Sequence, residues 1–395
     1  TYCFRVTDAG EPLATYTNYA ELTVQERQDF LVQRGTETVS GTSLTLTAGV
    51  DYTAPAANTA AFVRITNTSL TGAGSDTLGS NRNPDDLFAY IEGGDNLTSS
   101  FSIVRPPTAT DNTRVSWEIV EYVGITGADN EFVVRDAGTV AYGTTDLFAT
   151  GTAALGVVND NDVVVFISGQ YNPATGVADY NTGLSVSSWD TAGDQPVFER
   201  GDADGVASRV SYAVVEFTGA SWQVQRVEHT FAAAGVAETE PITAVNSLLR
   251  TFVHAQKISG DELFNLDESG HEVWLSSIGA VSFQLENAST NPTDQRSVAW
   301  VIENTQIGDG SMQVYRSNGV IAQGGVQPIT SILGIGATIR PTSASMWATN
   351  RSTGAGSAHP RAILGATIVS DTQYELWKSD EGQNQNFRVE IVEWP

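Results

Sequence analysis

One short pattern, an apolar run that ends in glutamate, occurs four times in the chain. The runs are RVSWEIVEY, RVSYAVVEF, RSVAWVIEN and FRVEIVEW, and they place glutamate at Glu121, Glu216, Glu303 and Glu393. The intervals between successive glutamates are 95, 87 and 90 residues. A regular interval of this size indicates an internal repeat, in which one structural unit occurs four times.

Other anchors keep the same order in all four copies. An arginine precedes each glutamate by 77 to 87 residues, and these arginines are Arg34, Arg135, Arg226 and Arg316. Between the two anchors lie apolar segments around Phe62, Val164, Phe252 and Trp347, and then near Phe101, Phe198, Phe283 and Leu376. Because each arginine and glutamate recurs once per copy, we interpret them as structural contacts, with Arg–Glu pairs as one arrangement.

The pattern of residue types between the anchors predicts an all-β fold. Short β-branched and aromatic runs alternate with Gly, Asn, Asp and Ser clusters, and no long window has helical periodicity. About 90 residues is the size of a two-sheet sandwich, so we predict tandem β-sandwich units, either jelly-roll or immunoglobulin-like. The predicted ranges are 1–20 for an N-terminal strand segment, then 21–125, 126–219, 220–306 and 307–395 for the four repeats.

The closing strand of each repeat shows which side chains should face a core. In the first copy Val115, Trp117 and Ile119 alternate with Ser116, Glu118 and Val120. Val210, Tyr212 and Val214 repeat the pattern in the second copy. The third copy places its aromatic at Trp300 and the fourth has Phe387, Val389 and Ile391, which predicts a bulge or a change of register there.

The first twenty residues do not belong to the repeat. In TYCFRVTDAG, the residues Tyr2, Phe4 and Val6 alternate with Cys3 and Arg5 before a turn. This segment resembles the closing strand of the immunoglobulin-like or fibronectin type III-like modules of bacterial extracellular surface and filament proteins. A lone strand cannot satisfy its backbone groups. Three outcomes are open: the rest of the module was removed by proteolysis, the strand adds to another subunit's sheet edge, or it pairs with its own first repeat.

Catalytic motifs are lacking in the sequence. None of the four histidines lies in an HExxH or HxH pattern, and no nucleophile elbow of the form GxSxG occurs. We therefore expect a protein that is not an enzyme and has no obligatory cofactor.

Two sets of residues suggest weaker binding functions. Asp160, Asp162, Asp202 and Asp204 offer clustered carboxylate oxygens, which calcium prefers, although none completes an EF-hand. Trp189 and Trp347 could stack on sugar rings, while core packing is the commoner role of tryptophan in such folds. Calcium and glycans are accordingly candidate ligands.

Charge restricts the partners of the chain. A formal net charge of -26 repels phosphate backbones, so nucleic acid is excluded, and no segment has the apolar length of a membrane-spanning helix. The single cysteine excludes an internal disulfide framework. We expect an extracellular or cell-surface structural protein that associates with itself as a filament, stalk or surface layer. The alternatives are a carbohydrate-binding or adhesive module, and a viral or phage fibre or decoration protein.

Overall fold

The computed structural model describes residues 28–70, 88–109, 112–173, 180–203, 205–260, 270–286, 292–308, 311–322, 329–352, 364–378 and 384–395. Within these ranges the regular structure consists of β-strands and single 3₁₀ turns of three or four residues. The predicted all-β class is confirmed.

The described ranges contain twenty-four strands, which fall into four sets of six. The first set is β1 (Phe30–Val39), β2 (Ser43–Thr47), β3 (Ala61–Leu70), β4 (Tyr90–Glu92), β5 (Ser100–Val104) and β6 (Thr113–Tyr122). The second is β7 (Val133–Ala141), β8 (Phe148–Thr150), β9 (Val163–Tyr171), β10 (Ser185–Asp190), β11 (Gln195–Arg200) and β12 (Arg209–Glu216). The third is β13 (Trp222–Thr230), β14 (Ala237–Pro241), β15 (Thr251–Ser259), β16 (His271–Ser277), β17 (Ala280–Leu285) and β18 (Gln295–Asn304). The fourth is β19 (Gln313–Ile321), β20 (Ile329–Gly334), β21 (Ala344–Ser352), β22 (Leu364–Ile368), β23 (Gln373–Lys378) and β24 (Gln385–Glu393).

Each set pairs its strands in the same order. The first, sixth and third strands form one antiparallel sheet, and the second, fifth and fourth strands form another. A bridge between His271 of β16 and Asn350 of β21 joins two of these sheets into a six-stranded half-barrel, β14-β17-β16-β21-β24-β19. Each predicted repeat range encloses one set of six strands, and the independence of these ranges as domains stays a prediction.

Apolar side chains between the two sheets of a set form a core. In the first set, Val115, Trp117 and Ile119 of β6 pack with Phe101 and Ile103 of β5. Comparable clusters lie within the third set and within the fourth set. The side-chain alternation predicted for β6 is confirmed, because Val115, Trp117 and Ile119 share one buried cluster.

The opposite face of the same sheets is also buried. Val120 and Tyr122 of the first set, Val215 of the second, Ile302 of the third and Val392 of the fourth belong to one continuous cluster. Sixth strands are therefore covered on both faces, and the burial of β6, β12, β18 and β24 is nearly uninterrupted. The four sets meet at this shared core.

The predicted bulge at the third closing strand is wrong. β18 pairs with β13 and β15 without any shift in register. Counted from the repeated glutamate, Trp300 corresponds to Glu118 and lies on the shared face, whereas Ala299 and Val301 face the core of the third set. β24 also pairs regularly, with Val389 and Ile391 in the core of the fourth set. Both strands keep the common register. The aromatic of β18 lies on the shared face, whereas Phe387 of β24 lies on the core face, at the position that corresponds to Val115.

The four sets close into a ring. The 3₁₀ turn before the third strand of each set contacts the first strand of the next set, and the turn of the fourth set contacts β1. Those turns are Asn58–Ala60, Asp160–Asp162, Leu248–Arg250 and Pro341–Ser343. At the junction of the fourth and first sets, Asp29 N donates to Pro395 O over 3.1 Å, and the rings of Phe30 and Trp394 stack at 5.1 Å.

Packing between neighbouring sets predicts the effect of one substitution. A Cβ added at Gly201, which follows β11, would lie 1.5 Å from the carbonyl oxygen of Ser259 in β15. We expect Gly201→Ala to lower the free energy of unfolding by about 1–3 kcal/mol, because backbone atoms of two sets must separate. Chemical denaturation would measure this change.

Gly279→Ala is the matched control, since no atom lies within 4 Å of a Cβ added there. Equal unfolding free energies for the two variants would contradict the close contact between the second and third sets.

Candidate functional site

Four corresponding residues meet where the sets converge. Each lies three positions after the first residue of a third strand, and they are Arg64, Phe166, His254 and Trp347. The ring centroids of Phe166, His254 and Trp347 are 5.1–5.4 Å apart, and the Arg64 guanidinium lies 3.6 Å from the Trp347 ring. We call this group the axial cluster.

A cavity of about 410 Å³ adjoins the axial cluster. Its described walls come from all four sets, including Thr66, Gln170, Lys257 and Asn350 from the third strands. The residues range from exposed Asn318 to fully buried Leu364, so the cavity opens to solvent on one side. We call it the axial cavity, and its size is that of a small-molecule site.

A buried ion-pair network supports one wall of the cavity. Glu118 lies 2.6 Å from the Arg64 guanidinium and 3.5 Å from that of Arg34. Arg34 donates to the carbonyl of Ala344, and Glu118 accepts a 3.3 Å bond from the Met346 N–H. The first set therefore holds the edge of β21 through a charged pair.

The same arrangement joins the fourth set to the third. Arg316 lies 2.7 Å from Glu390 and donates to the carbonyl of Thr251. Glu390 accepts a 2.6 Å bond from the Val253 N–H. Thr251 and Val253 correspond in β15 to Ala344 and Met346 in β21, so the interaction recurs at equivalent positions.

One of the Arg–Glu pairs expected from the repeat forms, and the structural role of the repeated arginines and glutamates stays a prediction. Arg135 lies 2.5 Å from Glu216. Glu121 and Glu303 instead accept backbone N–H bonds of 2.7 Å from the segment before the third strand, and Glu393 accepts one of 3.2 Å from Arg340. Arg226 donates to the carbonyl of Ser187 in the second set.

His254 in the axial cluster is held neutral. Gln256 accepts the Ser187 N–H through its Oε1, which orients its amide nitrogen to donate to His254 Nε2 over 3.1 Å. Burial, with a smaller contribution from the Arg64 charge, lowers the pKa of His254 to about 3. His254 therefore stays uncharged near neutral pH.

Lys257 differs in its charge environment from the three described arginines that line the cavity. It is half-buried, and among the described residues no carboxylate lies within ion-pair distance of its ammonium. Desolvation lowers its pKa to about 8, so it keeps its charge at neutral pH at a cost in stability.

The described candidate calcium residues lie in two places and do not form one ligand cluster. Asp160 and Asp162 lie on the turn before β9, where Asp160 accepts a 2.6 Å bond from Trp189 Nε1. Asp202 lies near Asn181 at 3.4 Å, and Asp204 is outside the described residues. Within the described part of the chain, no group of three His, Cys, Asp or Glu side chains is arranged to hold a metal ion. Calcium binding stays a prediction.

The two candidate tryptophans have different environments. Trp347 is buried in the axial cluster and lines the axial cavity, while Trp189 is half-buried beside Asp160. Tyr2, Phe4 and Val6 of the candidate assembly strand lie outside the described residues. No helix in the described ranges has the length and hydrophobicity needed to cross a membrane.

Sequence reasoning missed the axial cavity. Arg64, Lys257 and Arg388 lie in or beside the repeat anchors, but their distance from one another along the chain gives no signal of proximity. The sequence contains one signal that could have indicated the site: Arg64, His254 and Trp347 occupy corresponding positions in their third strands.

Comparison of the chain with protein-family models, with curated proteins and with solved structures finds no match. The functional argument therefore depends on the geometry of this chain.

The buried ion-pair network predicts a large loss of stability when the charge of Glu118 is removed. In Glu118→Gln the fully buried Arg64 loses its partner, and we expect the free energy of unfolding to fall by about 3–5 kcal/mol. Glu92→Gln is the control, because Glu92 and Arg209 are exposed and 4.0 Å apart, so a change of about 0–1 kcal/mol is expected. Similar urea midpoints for the two variants would contradict the role of Glu118.

The lowered pKa of Lys257 predicts that the free energy of unfolding depends on pH. Its folded-state pKa is about 8 and its ordinary value is 10.5, so the unfolded chain binds more protons between these values. The penalty is fully present below pH 8 and is relieved as pH rises to 10.5. Lys257→Met should therefore be more stable than the wild type by about 1–3 kcal/mol at pH 7, and the advantage should shrink by pH 10.

Unfolding free energies at pH 7, 8, 9 and 10 would measure this effect. Gly279→Ala, which changes no titratable group, should show a difference from the wild type that is independent of pH. A constant advantage of Lys257→Met over this range would show that its ammonium is not desolvated.

Proposed function

We propose that this protein is a non-catalytic extracellular structural protein, a subunit of a filament, stalk or surface layer whose copies associate by strand addition. One observation carries the proposal: four sets of strands close on one another within a single chain and share one core. A closed body of this kind is a rigid building block, because every interface between sets is already satisfied.

We further propose that each set is a β-sandwich unit of one tandem repeat. The nested pairing supports this, since the first strand pairs with the sixth and the second with the fifth. That order is of the jelly-roll type rather than the immunoglobulin type. Separate cores between the two sheets in the first, third and fourth sets agree with it.

The closed ring restricts where a second copy can bind. First, third and fourth strands contact neighbouring sets, whereas the second strands β2, β8, β14 and β20 lie at the outer edges of their sheets. Unpaired edge strands are templates for strand addition. Assembly through these edges leaves the ring intact.

Among the outer edges, β20 is best suited to accept a strand. β8 has three residues, and β14 ends in Pro241, which cannot donate a backbone hydrogen bond. β20 has six residues and exposes Ile332, which is 61% accessible. The alternating Tyr2, Phe4 and Val6 would supply an added strand with an apolar face.

Net charge sets the conditions for assembly. Copies that each carry a formal charge of -26 repel one another, and the Debye length falls from about 30 Å at 0.01 M salt to about 10 Å at 0.1 M. Association through β20 should therefore strengthen as salt is raised from low to physiological concentration.

Removal of residues 1–20 tests the proposal. We expect the full chain to form assemblies at physiological salt and the truncated chain to sediment as a monomer with an unchanged melting temperature, because the added strand lies outside the closed ring. Phe4→Asp should act like the truncation, whereas Arg5→Ser, on the opposite side of the segment, should still assemble.

Sedimentation velocity and negative-stain electron microscopy would distinguish these results. On the acceptor side, Ile332→Asp should block assembly, and Val158→Asp, at a site 82% exposed in the second set, should not. A full chain that stays monomeric at every salt concentration, or a truncated chain that assembles normally, would overturn the proposal.

A further inference from the structure

The axial cavity is cationic in an acidic chain. The chain has 20 Lys and Arg against 46 Asp and Glu, yet the described lining contains Arg64, Lys257, Arg316 and Arg388 and a single carboxylate, Glu390. A cationic interior inside an acidic protein focuses positive potential where the rest of the surface repels anions.

Within the described ranges, the neighbouring carboxylates do not fully balance this charge. Glu118 pairs with Arg34 and Arg64, and Glu390 pairs with Arg316. Glu272 lies 2.7 Å from Arg351 and 3.5 Å from Arg388. Among the described residues, each of the three lining arginines thus lies beside a carboxylate, and Lys257 is a fourth lining cation.

The remaining lining is a mixture of neutral polar and apolar groups. Uncharged hydrogen-bonding side chains come from Gln170, Ser317 and Thr349, and apolar surface comes from Phe88 and Leu275. Such walls suit a hydroxylated organic molecule better than a bare inorganic ion, which has no apolar surface to bury.

We propose that the axial cavity binds an acidic saccharide, with the carboxylate or sulfate of the sugar at Lys257 and its hydroxyls on the neutral polar walls. The site is independent of the strand-addition surface, and this binding function goes beyond the structural role proposed above. We place the anionic group of the sugar at Lys257 because the other three lining cations already have carboxylate partners.

The position of Lys257 also explains why a ligand would be bound as an anion. Its ammonium is desolvated and has no carboxylate partner among the described residues, so an anion that enters the cavity supplies the missing charge and raises the pKa of Lys257 from about 8. Binding at pH 8.5 should therefore be accompanied by proton uptake. A neutral sugar would cause no such uptake.

Isothermal titration calorimetry with the full chain tests the assignment. Glucuronate and glucose 6-sulfate are the two anionic probes, and glucose and inorganic sulfate are the matched controls. We expect one or both anionic sugars to bind with Kd below about 1 mM, with glucose and sulfate at least about tenfold weaker. Titration in two buffers of different ionisation enthalpy at pH 8.5 should show proton uptake.

Lys257→Gln should weaken binding of the anionic sugar by about tenfold or more and abolish the proton uptake. Arg209→Gln is the control, since it removes one positive charge at an exposed site outside the cavity. Its affinity should equal that of the wild type.

Three results would overturn the proposal: no binding of either anionic sugar, sulfate binding as tightly as the sugars, or an unchanged affinity in Lys257→Gln. The chain lacking residues 1–20 should bind the sugar as the full chain does, so a failure of assembly and a failure of ligand binding are separable.

Discussion

Burial of both faces of the first–sixth–third sheets is the constraint on which the rest of the structure depends. One face of each sheet packs within its own set, and the other carries apolar residues such as Val120 and Ile302 that need a second cover. A single set would leave that face in water, at a cost of about 25 cal/mol for each Å² exposed. Four sets in a closed ring cover all four faces without another chain.

Buried polar groups determine how neighbouring sets of strands fit together. Glu118 and Glu390 each accept an N–H from the third strand of the neighbouring set while pairing with an arginine of their own set. An apolar residue at either position would leave that N–H without its acceptor, so these interactions oppose sliding of one set against the next. Arg226 beside Trp300 shows a different solution at the junction of the second and third sets.

The sequence allowed the strand class and the repeat to be predicted because both depend on local alternation. Val115, Trp117 and Ile119 face a core as their alternation predicts. The misinterpretation of Trp300 has a physical reason: with both faces buried, an aromatic residue is equally suited to either face, and alternation no longer identifies the inward one. Ring closure and the axial cavity depend on contacts such as that of Phe30 with Trp394, which no local pattern contains.

The four copies differ at positions where a repeat cannot remain identical. At the centre of the ring four corresponding side chains meet, and four copies of Trp347 or Arg64 would overlap or place like charges together. The chain instead combines a cation, two aromatic rings and a neutral histidine, which stack and pair with one another. Two positions further along the third strands, Gln256 occupies the place of Thr66 and Thr349 in the first and fourth sets, and Lys257 follows it beside the cavity. A closed repeat thus produces an asymmetric site at its centre, where a chain with a formal net charge of -26 carries a cationic cavity.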